Sequence, residues 1–175
     1  MIEIQVIMDS DSIHSLVRVE CDTDEDDWLS RQSLIDLDAF AIKTLSHVKW
    51  GRRCMVSVLF TSDAHVQELN LTYRQKDNPT NVLSFPAYDD ELLRILPPSE
   101  EIPLGDIVFA FETIQHEALA QNKVFNHHLA HLFVHGLLHL LGYDHEIDDE
   151  AAQMERAEVE ILAHFSIPNP YEANE

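Results

Sequence analysis

The stretch HLFVHGLLHLLGYDH, residues 131–145, combines an apolar helical pattern with regularly spaced histidines. Residues four apart lie on the same face of an α-helix, so His135 and His139 project side by side. His145 would point away from them if the helix continued straight. Gly142 removes this difficulty, because glycine readily adopts the left-handed conformation that ends a helix and turns the chain back. The stretch therefore predicts a buried helix whose end brings three imidazoles together.

Three imidazoles that leave one coordination position open are typical of a catalytic zinc site. The spacing H-x-x-x-H-x-x-G-x-x-H is that of the metzincin peptidases, except that Gly136 replaces the glutamate that follows their first histidine. Glycine cannot act as a base, and it costs about 1 kcal/mol of helix stability relative to alanine. We therefore predict that Gly136 leaves room near the metal for a bulky substrate group. His131 is interpreted as a packed or supporting residue, and Asp144 either orients a ligand imidazole or stabilises the turn.

The length and composition of the sequence indicate one packed domain. A chain of 175 residues, 45% of them hydrophobic, suffices for a single core. Its formal net charge of -21 repels polyanions, so composition alone argues against binding nucleic acid. Cys21 and Cys54 are too few for a disulfide framework and are interpreted as reduced thiols. The N-terminal residues show no pattern of a signal peptide or a transmembrane helix, so we expect a cytoplasmic protein.

Periodicity and turn signals divide the chain into strands and helices. The predicted strands are Ile2–Met8, Cys54–Phe60, 82–88 and Gly105–Phe111. The predicted helices are Trp28–Trp50, a helix capped by Ser62 or Asp63 with Val66, Leu69 and Tyr73 inward, one from Thr113 on, Asn126–Leu141, and Asp148–Phe165. The acidic run 21–28 and the proline-containing stretch 89–104 are interpreted as loops, and Gly51 as the end of the first helix. This uneven alternation predicts a single α+β or mixed-sheet domain over residues 1–175.

Three blocks of the sequence resemble those of one known family. They are ELNLTYRQKDNPTNVLSF (68–85), LGDIVFAFETIQHEA (104–118) and HLFVHGLLHLLGYDHEIDDEAAQME (131–155). Together they resemble the YbeY family of bacterial endoribonucleases and ribosomal RNA maturation factors over about residues 68–160. The third block is highly specific. Neither its histidine motif nor the motif YRQKDNPTNVLSF of the first block departs from the family pattern.

The resemblance implies a fold, a site and an activity. The fold would be α+β, with a mixed, mostly four-stranded sheet, about five helices and a central metal-binding helix. His135, His139 and His145 would hold one zinc ion per chain, with Arg74 and His135 acting in catalysis. The activity would be cleavage of single-stranded RNA in maturation of the 16S 3′ end and in ribosome quality control. The partners would be ribosomal RNA and the ribosome or ribosomal proteins, with no membrane.

Physical chemistry makes this activity coherent. Zinc lowers the pKa of bound water towards about 7, which supplies hydroxide without a glutamate base. Arg74 can clamp a phosphate and stabilise its developing charge, with Lys76 beside it. The negative total charge indicates that a basic partner, such as a ribosomal protein, delivers the RNA. Lys49, Arg52 and Arg53 could guide the RNA backbone if the strand at Cys54 lies beside the site, but a solvated surface cluster is the favoured interpretation. Phe85 and Tyr143 could stack on bases, although core packing suits Phe85 better.

Two other functions fit parts of the pattern. The ligand spacing also suits a metalloprotease-like zinc hydrolase, but Gly136 at the glutamate position and Arg74 both argue against a peptide substrate. A non-catalytic ribosome-assembly factor with a structural metal is the third possibility, and the open coordination position argues against it. Three histidines would also accept nickel, cobalt or copper.

Overall fold

A four-stranded sheet forms the framework of the protein, which a computed structural model describes at residues 17–23, 28, 35–97, 101–145 and 147–172. The strands are β1 (Val17–Thr23), β2 (Cys54–Thr61), β3 (Val82–Pro86) and β4 (Ile102–Ala110). Their order across the sheet is β1-β2-β4-β3. β1, β2 and β4 run parallel, and β3 pairs antiparallel with β4. The predicted α+β class with a mixed four-stranded sheet is confirmed.

Six helices accompany the sheet in the described part of the chain. They are α1 (Leu37–His47), α2 (Asp63–Arg74), α3 (Asp90–Ile95), α4 (Phe111–Ala120), α5 (Phe125–Leu140) and α6 (Asp148–Ala163). The helix beyond the predicted five is α3, which lies in the stretch interpreted as a loop. The Asp89 carboxylate caps it by accepting a hydrogen bond of 2.8 Å from the Leu92 amide. Within the described residues, every helix falls short of the length and apolarity needed to span a bilayer.

The core lies between the sheet and α5. Alternate side chains of β2 point to this side, because successive residues of a strand face opposite ways, and those at Cys54, Val56, Val58 and Phe60 are buried. Helix α5 packs against β3, β4, α1, α4 and α6, and most of its residues are buried. Each large apolar side chain buried here contributes about 1.5–3 kcal/mol. The helix that carries the paired histidines is therefore firmly held in the core.

The strands differ from the prediction at the edge of the sheet. The predicted strand Ile2–Met8 lies outside the described residues. β1 was not predicted, because its exposed Glu20 and Asp22 make it look like the loop that was expected from residue 21 onwards. Edge strands often carry such charged residues, which discourage pairing with other chains. β4 begins at Ile102, before the predicted start, and it ends at Ala110 because the next residue already belongs to α4.

Two helix predictions were wrong in detail. The predicted helix Trp28–Trp50 is interrupted at residues 35 and 36, and residues 29–34 lie outside the described residues. Helix α1 begins at Leu37, where the Asp36 side chain accepts a hydrogen bond from the Ala39 amide. Lys49, with φ of 56°, adopts the left-handed conformation after α1, so the helix ends before Gly51, where we placed its end. The prediction missed this because a non-glycine residue rarely takes that conformation.

On α2, the predicted inward residue Tyr73 is 66% exposed, whereas Asn70 is buried. The Asn70 side-chain amide donates a hydrogen bond of 2.7 Å to the Asn78 carbonyl, which satisfies it inside the fold. Val66 is buried as predicted. The last two helices match the prediction to within two residues, at Phe125–Leu140 and Asp148–Ala163.

Candidate metal centre

The end of α5 brings three imidazoles together. His135 and His139 project from one face of the helix, and Gly142 follows with φ of 88° in the predicted left-handed conformation. The Gly142 amide donates to the His139 carbonyl at 3.0 Å, which closes the turn and returns His145 to the same side. One ring nitrogen from each of these histidines lies within 4.8 Å of the others. Among the described residues, this group has the geometry to hold a metal ion.

Hydrogen bonds fix which nitrogen of each helical histidine is free. The Nδ1 of His139 lies 3.0 Å from the Tyr143 carbonyl oxygen, which can only accept, so this Nδ1 carries the proton. The Nδ1 of His135 lies 2.8 Å from a carboxylate oxygen of Glu158 and donates to it. Both Nε2 atoms therefore present lone pairs, and they face each other at 3.1 Å.

Two facing lone pairs at this distance repel each other unless a cation lies between or beside them. A proton on His139 does not serve at neutral pH, because burial and the neighbouring His135 lower the pKa of His139 to about 4. A divalent metal does serve, since neutral imidazole nitrogens are its usual protein ligands. The donor set therefore fits a metal ion of the zinc class.

Glu158 on α6 supports this arrangement, although its role was not predicted from the sequence. Its side chain is fully buried, and its second carboxylate oxygen lies 2.9 Å from the Nε2 of His131. This contact confirms the interpretation of His131 as a supporting residue. The sequence did contain a signal for this role. Glu158 lies between Met154 and Leu162 at intervals of four residues, so all three lie on the buried face of α6. An acidic residue on an apolar stripe indicates a buried partner for its charge.

The pKa of Glu158 reflects its hydrogen bonds. Burial alone would raise it, but the hydrogen bonds from His131 and His135 outweigh burial and lower the pKa to about 2. Glu158 is therefore ionised at neutral pH and acts only as an acceptor. In many metal sites, a carboxylate that accepts a hydrogen bond from a metal-ligating histidine orients the imidazole ring. Glu158 holds this place relative to His135.

Arg74 lies on the same cleft as the histidines. It is the last residue of α2, and Gln75, with φ of 58°, ends the helix after it. The cleft has a volume of about 880 Å³, and Arg74, Lys76, His139 and His145 line it. Asp89 and Asp144 line it too, which leaves the two basic residues balanced by two carboxylates. A metal ion would make the cleft attractive to an anion.

The second basic cluster does not line this cleft. The Arg52 guanidinium donates to the Leu93 carbonyl at 2.7 Å and stacks on the Trp50 ring at 4.4 Å, which ties α3 to the end of α1. Lys49 and Arg53 are exposed and are also absent from the lining of the cleft. The position of the cluster therefore agrees with the favoured interpretation of a surface cluster and gives no support to the alternative that it guides RNA.

The remaining candidates near the centre have structural roles. The Asp144 carboxylate accepts a hydrogen bond of 2.7 Å from the His145 amide, so it stabilises the turn. Tyr143 lines the cleft, and its carbonyl oxygen orients His139. Phe85 packs edge-to-face against Tyr73 with ring centroids 5.2 Å apart, which agrees with the packing role preferred for it.

Gly136 faces the sheet and is buried. A Cβ at this position would lie 3.1 Å from the Ser84 Oγ and 3.2 Å from two carbons of Ile107. The space that we predicted for a substrate group is thus filled by β3 and β4, and that prediction was wrong. The sequence showed that a small residue was needed but could not show which neighbour required it.

We expect Gly136→Ala to lower the free energy of unfolding by up to about 2 kcal/mol. Overpacking against Ile107 costs about 1–3 kcal/mol and outweighs the gain in helix propensity of about 1 kcal/mol. Urea unfolding of the metal-free protein measures the change. Adding Ser84→Ala should recover part of the loss, because it removes one of the crowding atoms. Increased stability of the single variant, or no recovery on adding Ser84→Ala to a destabilised one, would contradict this explanation.

The sequence matches one family model and is similar to known proteins of the same description. A family model described as endoribonuclease YbeY matches residues 20–166. The chain is similar to endoribonuclease YbeY of Rhodopseudomonas palustris, with 51% identity over 116 residues, which are 66% of this chain and 60% of that protein. The match thus spans less than two thirds of that relative. Endoribonuclease YbeY of Acinetobacter baumannii is 48% identical over 130 residues, which are 74% of this chain and 81% of that protein.

A solved structure has a similar fold. The solution structure of TM1509 from Thermotoga maritima matches with a TM-score of 0.54 and 23% sequence identity. The match covers 89% of this chain and 99% of that one. At this identity the likeness concerns the fold alone, and it agrees with the α+β architecture described above.

Proposed function

Because the chain belongs to the YbeY family of endoribonucleases, we propose that it cuts single-stranded RNA with the help of one zinc ion per chain. The observation that carries this proposal is the cleft that Arg74 shares with His139 and His145. Within this function, the substrate is ribosomal RNA, and the process is maturation of the 16S 3′ end and ribosome quality control. The whole chain, residues 1–175, acts as a single hydrolase domain in the cytoplasm, where that substrate is found.

The proposed ligands are His135, His139 and His145. The arrangement of their ring nitrogens supports this assignment. The Nε2 lone pairs of His135 and His139 face each other, and the imidazole of His145 lies beside them. When bound, a zinc ion supplies Lewis acidity towards a phosphoryl oxygen and lowers the pKa of a coordinated water. Zinc is preferred to nickel, cobalt and copper because three nitrogen ligands with an open position are its usual catalytic arrangement.

Arg74 has the role of binding the scissile phosphodiester. Its guanidinium is always charged and can donate two parallel hydrogen bonds to phosphate oxygens. These bonds strengthen as negative charge develops on the phosphoryl group, so they stabilise the transition state more than the bound substrate. Lys76, exposed at the same cleft, adds a second positive charge for the neighbouring phosphate. His135 contributes by holding the catalytic ion in place.

The charge of the protein explains why a partner is needed. Arg74 and Lys76 offer local attraction, whereas the net charge of -21 opposes the approach of free RNA. A basic ribosomal protein would be attracted to the acidic surface and would present the RNA to the cleft. We therefore propose that the substrate is delivered on ribosomal particles rather than captured from solution.

A peptidase function is less well supported. Metzincin peptidases carry a glutamate where this chain has Gly136, and Gly136 is buried against Ser84 and Ile107. A carboxylate at that place would have to displace Ile107 in the core before it could act as a base. A non-catalytic assembly factor remains the second candidate, since it would need the same partners, and loss of cleavage on removal of Arg74 separates the two.

The test of the proposed function is the cleavage of a single-stranded RNA that contains the 16S 3′ end. We expect Arg74→Ala to lower the cleavage rate by about 10²–10³-fold, the usual effect of removing one group that stabilises transition-state charge. Arg74→Lys should recover only part of the rate, because lysine keeps the charge but not the paired donors.

The matched control is Arg156→Ala, which removes the same charge from an exposed position on α6. It should cleave at the parent rate. A chelator-treated sample, purified in the same way, shows whether a contaminating nuclease is present. If Arg74→Ala cleaved as fast as Arg156→Ala while both bound zinc, the assigned role of Arg74 would be wrong.

A further inference from the structure

The C-terminal segment, residues 164–172, reaches back to the buried carboxylate that orients His135. After α6 ends, the chain turns at Ser166, with φ of 58°, and Ile167 is buried in the core. The Lys123 ammonium donates a hydrogen bond of 2.7 Å to the Pro170 carbonyl and ties the segment to the start of α5. The Asn169 side-chain oxygen accepts from the Tyr171 amide at 3.0 Å. These contacts place the Tyr171 hydroxyl against Glu158, although the residue as a whole is 47% exposed.

The Tyr171 hydroxyl donates a hydrogen bond to Oε2 of Glu158. The same oxygen accepts from the Nε2 of His131 at 2.9 Å, while Oε1 accepts from the Nδ1 of His135 at 2.8 Å. The Tyr171 ring also lies edge-on to the His131 ring, with centroids 5.5 Å apart. A fully buried carboxylate thus has two donors on one oxygen and His135 on the other.

We propose that Tyr171 is a positioning residue for the metal centre, which acts by locking Glu158 so that Oε1 stays aimed at His135. The inference rests on the proposed function, because it takes His135 as a metal ligand. With Tyr171 and His131 both donating to Oε2, the carboxylate cannot rotate about its terminal bond without breaking these two hydrogen bonds as well as the one from His135. The C-terminal segment thereby controls how tightly the metal is held, although it lies outside the histidine motif.

The size of the effect follows from comparison with other metal sites. Loss of an outer partner of a metal-ligating histidine costs about 10–100-fold in metal affinity. Tyr171 acts one hydrogen bond further from the metal, and His131 still holds Oε2 when the hydroxyl is removed. We therefore expect Tyr171→Phe to weaken zinc affinity by about tenfold, the lower end of that range. The phenylalanine ring retains the packing against His131.

The experiment measures zinc affinity by competition with a chromophoric chelator, on the full chain and without RNA. A double-mutant cycle with Glu158→Gln makes it specific. If Tyr171 acts through Glu158, Tyr171→Phe should have no further effect in the Glu158→Gln background. The visible spectrum of the cobalt-loaded protein should shift in Tyr171→Phe, because the ligand field changes when His135 is less firmly oriented.

Two controls separate positioning from general destabilisation. Tyr73→Phe makes the same chemical change at an exposed residue and should leave zinc affinity unchanged. Ile167→Ala weakens the packing of the C-terminal segment without removing a donor to Glu158. It should therefore lower the unfolding temperature but reduce zinc affinity less than Tyr171→Phe does. Equal affinities of Tyr171→Phe and the parent, or additive effects with Glu158→Gln, would overturn the proposal. A parent protein that bound no zinc would instead refute the metal site itself.

Discussion

Replacing His139 by alanine is expected to abolish tight zinc binding and, with it, RNA cleavage. The change removes one of three proposed ligands, and the two that remain, His135 and His145, lie on different segments of the chain. The loss of affinity should exceed the approximately 100-fold upper limit for outer partners, because a direct ligand is removed. The same loss of cleavage is expected when a chelator strips the parent protein, and it should be restored by added zinc.

The measurements are zinc affinity by chelator competition and cleavage of the 16S 3′-end RNA. His145→Ala is the companion variant, because His145 is exposed and its truncation leaves no cavity in the core. His116→Ala, at an exposed position on α4, is the matched control and should bind and cleave like the parent. Full cleavage by both ligand variants, with the chelated parent inactive, would place the metal elsewhere.

The second large effect is expected at Gly105, in the middle of β4. Its φ is 135°, and a Cβ there would lie 2.1 Å from the Phe85 carbonyl oxygen and 2.9 Å from the Ala87 nitrogen. Both atoms belong to the backbone of the neighbouring chain segment, so no side-chain rotation can relieve the clash. Gly105→Ala should therefore lower the free energy of unfolding by more than about 4 kcal/mol, the range reserved for backbone strain and core disruption.

Urea unfolding followed by circular dichroism measures this loss. If the variant does not accumulate in soluble form, its susceptibility to proteolysis relative to the parent gives the same information. Gly51→Ala is the control, because Gly51 is exposed and its φ is not positive, and it should change stability by less than about 0.5 kcal/mol. A Gly105→Ala protein as stable as this control would show that β3 can move away from β4 without cost.

The local parts of the site were predictable because they depend on short-range geometry. The intervals between His135, His139 and His145, with Gly142 in the left-handed conformation, are set by the helix repeat and by one turn. The apolar runs of β2 and α5 likewise identified the central strand and the central helix. The three-histidine group and its place at the end of a buried helix therefore follow from the residue pattern alone.

The predictions that were wrong or missing concern residues that are distant in sequence and meet only in the folded protein. Nothing near Gly136 in sequence indicates that Ser84 and Ile107 fill the space beside it. Glu158 is 23 residues from His135, and only the packing of α6 on α5 joins their side chains. β1 escaped the prediction because an edge strand carries charged residues that resemble a loop.

The sequence by itself determined the family, the mixed α+β class and the three imidazoles, because each rests on residue types at fixed local spacing. The tertiary structure decided the supporting network, since Glu158, His131 and Tyr171 meet only after α6 and the C-terminal segment fold onto α5. It also decided which basic residues face the cleft: Arg74 and Lys76 do, whereas Arg52 is engaged with α3. The physical reason is that hydrogen-bond partners of a buried charge are chosen by packing, which no local spacing encodes.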